Sequence, residues 1–252
     1  MKRESKNSLD KKINCGKDFY QIFTSAISSN ETNIISFVNP FSYDLLRKRK
    51  DLITDIDAFF SDGTLLCKLH NTFFKKKILR ASFDYSSIAT DVLNYVVQHN
   101  LPIAFIGAQQ KELDGALKNI KIKHDGINIT YSRNGYFSNE EERSTCAKEL
   151  NANIAKIIIV GMGTPYQENF AQVIKSISDK DVVILTCGGF LTQTSMRADY
   201  YYPLIKKLGL RWLQRIAMHQ HVRQRVIKDY PKFLITYLYE HGVIALSRKN
   251  DN

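Results

Sequence analysis

Short runs of β-branched and apolar residues recur along the chain at Asn33 to Val38, Ala58 to Phe60, Ile103 to Ile106, Ile127 to Tyr131, Ile157 to Val160 and Val182 to Thr186. Runs this short and this apolar read as strands buried on both faces. Between them lie stretches whose apolar residues recur at three- and four-residue spacing, at Tyr85 to Gln98, Gln109 to Asn119, Asn139 to Asn151 and Pro165 to Ser178. Strands alternating with helices in this way predict an α/β fold: a mostly parallel sheet with helices on both faces, Rossmann-like in layout. Ligands of such sheets bind outside the carboxyl ends of the strands, so the residues just after each run are the first candidates for function.

A chain of 252 residues with 44% hydrophobic content can bury one sizeable core. The pattern divides it into a polar, partly helical extension (1–30), the α/β core (31–199) and a basic, aromatic C-terminal appendage (200–252) that reads as helical, with a strand-like signal only at Val243 to Leu246. The net charge of +11 implies an anionic partner, and phosphorylated sugars, acidic lipid headgroups and nucleic acid all satisfy that field. Four scattered cysteines form no C-x-x-C pair, which suits a reducing cytoplasm. The polar, basic start lacks the apolar segment of a secretory signal. No run approaches the roughly 20 apolar residues of a spanning helix, so any membrane contact is expected to be peripheral.

Several strand ends carry polar or glycine residues. Ala58 to Phe60 runs into Ser61-Asp62-Gly63-Thr64, which places Asp62 at a carboxyl end, although Asp-Gly is also an ordinary turn or helix start. Asn39 stands directly after Val38 and before Pro40, where it fits a sugar-binding amide and a helix cap equally well. Ile157 to Val160 leads into Gly161-Met162-Gly163-Thr164-Pro165-Tyr166-Gln167-Glu168, a strand, a glycine turn and a helix start. Backbone amides in such a turn approach a ligand closely, and the helix start favours phosphate. No third glycine completes G-x-G-x-x-G, which disfavours a dinucleotide site. Gln167 and Glu168 fit sugar or ribose binding as well as they fit capping. Gly107 and the pair Gly188-Gly189 end two further strands.

Read in order, these segments resemble the WecG/TagA/CpsF glycosyltransferases over roughly Asn33 to Arg225. The features that carry the resemblance are Asn39, Ser61-Asp62-Gly63, Phe105-Ile106-Gly107, Asn134-Gly135-Tyr136-Phe137, Gly161 to Glu168, Gly188-Gly189-Phe190, Arg197-Ala198 and Gly209 to Arg215. The resemblance implies inverting transfer of N-acetylmannosamine or a related hexose from a UDP-sugar donor to a polyprenyl-diphosphate-linked saccharide, in cell-surface polysaccharide or teichoic acid assembly. It implies no metal or other cofactor. By the same resemblance Asp62 is the general base and Asn39 and Gln167 position the reactants. Gly107, Gly135, Tyr136, Phe137, Gly161, Gly163, Pro165, Glu168, Gly188 and Gly189 then shape the nucleotide-sugar cleft. Arg197, Arg211, Arg215, Arg223 and Arg225 are candidates for the acceptor diphosphate or the membrane. Family members can self-associate, which makes a homo-oligomer an expectation as well.

The sequence departs from the family at Arg197-Ala198-Asp199, where Arg-Ala-Pro is usual, and at Arg211-Trp212, where Glu-Trp is usual. Beyond Arg215, His219 to Arg225 replaces a proline followed by paired arginines. From Lys206 onward basic residues alternate with apolar ones, a pattern that fits a helix lying on an anionic membrane and one packed on the core equally. The expected location is the inner face of the cell membrane, peripherally bound. Asp55-Ile56-Asp57 matches a D-x-D metal signature but precedes its strand instead of following it, and His219 and His221 point to different sides of a helix. A nucleic-acid-binding protein is the main competing reading, yet no recognition motif for nucleic acid is present. A catalytically silent scaffold is the other.

Overall fold

The computed structural model describes residues 8–196, 205 and 220–247. In chain order the elements are α1 (Ser8–Lys12), β1 (Ile13–Asn14), α2 (Phe19–Ser28), β2 (Asn33–Val38), α3 (Pro40–Leu46), α4 (Lys50–Asp55), β3 (Ala58–Ser61) and α5 (Thr64–Phe73). They continue with α6 (Ala89–Gln98), β4 (Ile103–Gly107), α7 (Gln110–Lys123), β5 (Ile129–Arg133), α8 (Glu140–Ala152), β6 (Ile157–Gly161), α9 (Tyr166–Ile177), β7 (Val183–Thr186), α10 (Phe190–Met196) and α11 (Gln220–Ser247). The strands form one sheet in the order β1-β3-β2-β7-β6-β4-β5, and every pairing is parallel. The expected α/β architecture with helices on both faces is the one observed.

Strand alternation divides the core between the two faces. Phe59 joins an apolar cluster with Leu66 of α5, Ala147 of α8, Phe170 of α9 and Phe233 of α11, whereas its neighbour Phe60 joins Phe19 of α2, Val92 of α6, Leu113 of α7 and Phe190 of α10. β3 is therefore buried from both sides, which is why it reads as a continuous apolar run.

The structure redraws three sequence boundaries. The stretch set apart as an N-terminal extension contributes, from Ser8 on, a strand to the sheet and Leu9, Ile13, Phe19 and Phe23 to the core. The helix expected from Tyr85 begins at Ala89, because Asp84 takes hydrogen bonds from both the backbone N–H and the hydroxyl of Ser86 and holds the preceding residues in a turn. Val243 to Leu246 is not a strand but the end of α11.

α11 docks on α3. Phe233 and Tyr237, one helical turn apart, set their rings 5.5 and 5.4 Å from that of Tyr43, and Arg47 pairs with Glu240. Among the described residues no helix is long and apolar enough to cross a membrane.

Candidate active site

The parallel register sets the strand ends side by side. Val38 of β2 is level with Ser61 of β3, so Asn39 and Asp62 leave the sheet together. Gly107 is level with Gly161, and Val160 with Thr186, which aligns the turns after β4, β6 and β7 on the same edge. Over this edge lies a cavity of about 810 Å³. Asn39, Asp62, Gly135, Tyr136, Phe137, Gly161, Gly163, Gln167, Gly188 and Gly189 line it, and Gly107, Pro165 and Glu168 do not.

Asp62 is fixed from both sides. Its backbone N–H donates to Val38 O at 2.8 Å. Arg80 donates from Nε to the Asp62 carbonyl at 3.0 Å and from Nη2 to its carboxylate at 3.1 Å. The same Nη2 reaches Asp84 at 2.7 Å, so one guanidinium spans two cleft-lining carboxylates. Burial pushes the Asp84 carboxyl up, but the Arg80 charge and hydrogen bonds from Ser86, Arg80 and Ser82 outweigh it and hold the group below the ordinary carboxylate range. Arg80 is a site residue that no sequence pattern singled out. It arrives on the irregular segment between α5 and α6, which folds back so that Ala81 N–H donates to Ser61 O at 3.0 Å.

Both readings of Asn39 meet in one side chain. Its Oδ1 accepts from the backbone N–H of Phe41 (3.0 Å) and Ser42 (3.1 Å), and the Ser42 hydroxyl accepts from Asn39 N–H in return. That capping box starts α3. The Nδ2 group bonds to none of the described residues and belongs to a side chain that lines the cleft.

Gln167 and Glu168 behave differently from Asp62. Gln167 is 2% exposed; its Oε1 accepts from Gly188 N–H at 3.1 Å, and its Nε2 donates to Glu168 at 2.9 Å. It thereby ties the turn after β7 to the start of α9. Glu168 is fully buried, and its Oε1 accepts from Ser36, Thr164 and Gln167 while Oε2 has no partner among the described residues. Burial pushes its carboxyl up, against the opposing effect of those hydrogen bonds. Glu168 lies beneath the cleft wall and supports Gln167 from below.

The glycines carry the backbone where side chains do not fit. Gly107 has φ +147°, and a Cβ there would stand 2.3 Å from Gly161 O. Gly163, with φ +76°, turns beside open space on the cleft side. Cys187 lines the cavity too, and burial drives its thiol far up, so it stays neutral.

Among the described residues the cleft contains one cation, Arg143, paired with Glu140. No group of three or more His, Cys, Asp or Glu is placed to hold a metal ion among those residues. Asp55 and Asp57 sit at the amino edge of β3, away from the cleft, bonded to Gln172, Lys175 and the backbone of Ile34. Arg197, Arg211, Arg215 and His219 lie outside the described residues. Arg223 is an exposed residue of α11, and Arg225 is on the same helix, its side chain outside the description.

An acid and an amide at adjacent strand ends, above glycine turns with no dinucleotide fingerprint, agree with the order of motifs in the sequence. The profile of the glycosyl transferase WecG/TagA/CpsF family matches residues 8–243. The chain belongs to that family. Within it, the chain is 46% identical over 219 residues to a UDP-Gal:alpha-D-GlcNAc-diphosphoundecaprenol beta-1,4-galactosyltransferase of Shigella boydii, covering 87% of this chain and 91% of the relative. It is 23% identical over 215 residues to an N-acetylglucosaminyldiphosphoundecaprenol N-acetyl-beta-D-mannosaminyltransferase of Bacillus subtilis, covering 82% and 79%. The enzyme is a glycosyltransferase, and those of the ordered motifs that fall within the described residues meet at this one edge of the sheet.

Proposed function

We propose that this glycosyltransferase moves galactose from UDP-galactose to N-acetylglucosamine carried on a polyprenyl diphosphate, inverting the anomeric centre without a metal. The observation that carries the reading is Asp62, lining the cleft at the end of β3 and held there by Arg80 beside Asn39. The donor choice rests on the relative that is 46% identical and is named for UDP-Gal, against 23% for the mannosaminyltransferase.

In this mechanism the Asp62 carboxylate accepts the proton of the acceptor hydroxyl as its oxygen attacks the anomeric carbon, and the bond from that carbon to the phosphate oxygen breaks. UDP leaves with the electron pair. Its developing charge meets Arg143, the amides of the glycine turns and the N-terminus of α9. The C-terminal arginines, Arg197, Arg211 and Arg215 among them, are the further candidates for the diphosphates.

The decisive experiment offers UDP-galactose, UDP-N-acetylglucosamine and UDP-N-acetylmannosamine with a short polyprenyl-diphosphate N-acetylglucosamine and a chelator. The expected product is a disaccharide from UDP-galactose alone, with a β linkage by NMR. Transfer from another donor, or only with added metal, overturns the corresponding clause.

Peripheral binding to the inner face of the membrane belongs to the same proposal. On α11, Ile227, Ile235 and Tyr239 are 68, 69 and 69% exposed and share one side of the helix with exposed Lys228 and Lys232, opposite the docked Phe233 and Tyr237. Vesicles containing anionic lipid are expected to retain the protein, and Ile235→Asp with Tyr239→Asp to release it. Equal retention of that variant removes the membrane clause.

A further inference from the structure

One polar side chain in the cleft has no part in holding the fold or in the transfer step. Gln193 of α10 is 8% exposed and lines the cavity, and its side-chain amide hydrogen-bonds to none of the described residues. Gln167, the other buried amide at this edge, is bonded at both its oxygen and its nitrogen. An amide that faces the cavity with its donor and its acceptor both unused can give both to a ligand that offers a matching edge.

The surroundings hold this stretch of α10 in place. The Thr192 hydroxyl donates to Glu112 of α7, and Asn119 of the same helix donates to the carbonyl of Thr194 at 2.7 Å. A Cβ added at Gly115 would stand 3.2 Å from Ser195, so α7 and α10 meet at close range. A Cβ added at Gly189 would stand 3.4 Å from Gln193 Nε2, ordinary contact distance, which places the amide beside the turn after β7. An anchored helix that presents an unmatched amide to the cavity gives a ligand a contact point of fixed position.

Position in the sheet narrows what that contact is. α10 follows β7, which lies two strands from β3, and at a strand spacing of about 4.8 Å the turn after β7 is displaced by about 10 Å from Asp62. A sugar ring reacting at Asp62 does not extend that far, and the nucleotide half of the donor does. Phosphate oxygens only accept hydrogen bonds and leave the amide oxygen unmatched. The imide edge of uracil presents an N–H donor beside a carbonyl acceptor and pairs with an amide through two bonds, as Asn and Gln pair with a purine edge.

We propose that Gln193 reads the imide edge of the uracil in the sugar-nucleotide donor. The inference rests on the reading of a UDP-sugar as donor. It is tested by calorimetric binding of UDP, N3-methyl-UDP and 2′-deoxy-UDP to the full chain and to Gln193→Ala and Gln193→Met, the second keeping the side-chain length. In the wild-type chain N3-methylation is expected to weaken binding about tenfold or more, the effect of losing one to two hydrogen bonds in a fixed site. Both variants should bind UDP about tenfold more weakly and lose their discrimination against the N3-methyl form, with melting temperatures near wild type. Loss of the 2′-hydroxyl should weaken all three proteins alike. An N3-methyl penalty that persists in the variants, or a coupling that appears with the 2′-deoxy nucleotide instead, overturns the assignment of Gln193 to the base. A wild-type chain that binds UDP normally beside unaltered variants removes only the role of Gln193. A wild-type chain that binds no uridine nucleotide removes the donor reading and this inference together.

Discussion

Asp62 and Glu168 are carboxylates at the same edge of one sheet, and their surroundings give them opposite work. The Asp62 side chain is 18% exposed, lines the cleft and shares a guanidinium with Asp84. Glu168 has no exposure, accepts three hydrogen bonds on one oxygen and has a second oxygen with no partner among the described residues. A charge that must meet a substrate needs water or a cation beside it, whereas a fully buried carboxyl moves toward its neutral form and serves the fold. In the proposed mechanism one strand end supplies chemistry, and the other supplies the rigidity that keeps Gln167 and Gly188 aligned.

The sharpest break of this contrast is Asp62→Asn. It retains the shape and removes the proton acceptor, so the transfer rate is expected to fall by about a hundredfold to ten-thousandfold while UDP binding by calorimetry persists. Wild-type turnover in that variant would place the base elsewhere.

Gln167→Ala tests the other side. It leaves Gly188 N–H and Glu168 without their partner, and a loss of about 1–3 kcal/mol in unfolding free energy is expected, with a higher KM for the donor. A change in kcat with unchanged stability and KM would move Gln167 from the support to the chemistry.

The smallest effect is expected from Glu168→Gln, which substitutes a neutral group of the same shape. The folded-state pKa of Glu168 is raised, so its contribution to stability is fully present below the unfolded value and is lost as pH rises through the folded one. Glu168→Gln lacks that loss. Its melting temperature should therefore gain on wild type as pH increases from 4.5, the ordinary value of the group, and activity should stay near wild type. Parallel melting curves across pH would show that the carboxyl is no more neutral in the fold than outside it.

Much of this contrast was visible in the chain, and its decisive part was not. The apolar runs located six of the seven strands because a strand buried on both faces has no polar residues to interrupt it. β1 escaped because Ile13–Asn14 is two residues long and shows no period. Val243 to Leu246 has the composition of a strand, yet it continues a helix whose preceding turns are anchored by Phe233 and Tyr237 on Tyr43. Asp62 and Asn39 were candidates from their places after strands, and only the resemblance to the family gave them roles. Arg80 lay in an irregular segment with no pattern, and Gln193 looked like any polar residue of a short helix.

The sequence by itself determined the parallel sheet, the edge that carries the candidate site and the family, because these follow from periodicity and from the order of short motifs along the chain. The tertiary structure decided which of the residues at that edge face the cleft. Register and crossover bring the Asp62 carboxylate under Arg80 and bury the Glu168 carboxyl beneath Gln167, residues from segments that are far apart in the chain or that differ only in which way a turn points. Burial and partner set the surroundings of each group, and neither is a property of a residue read alone.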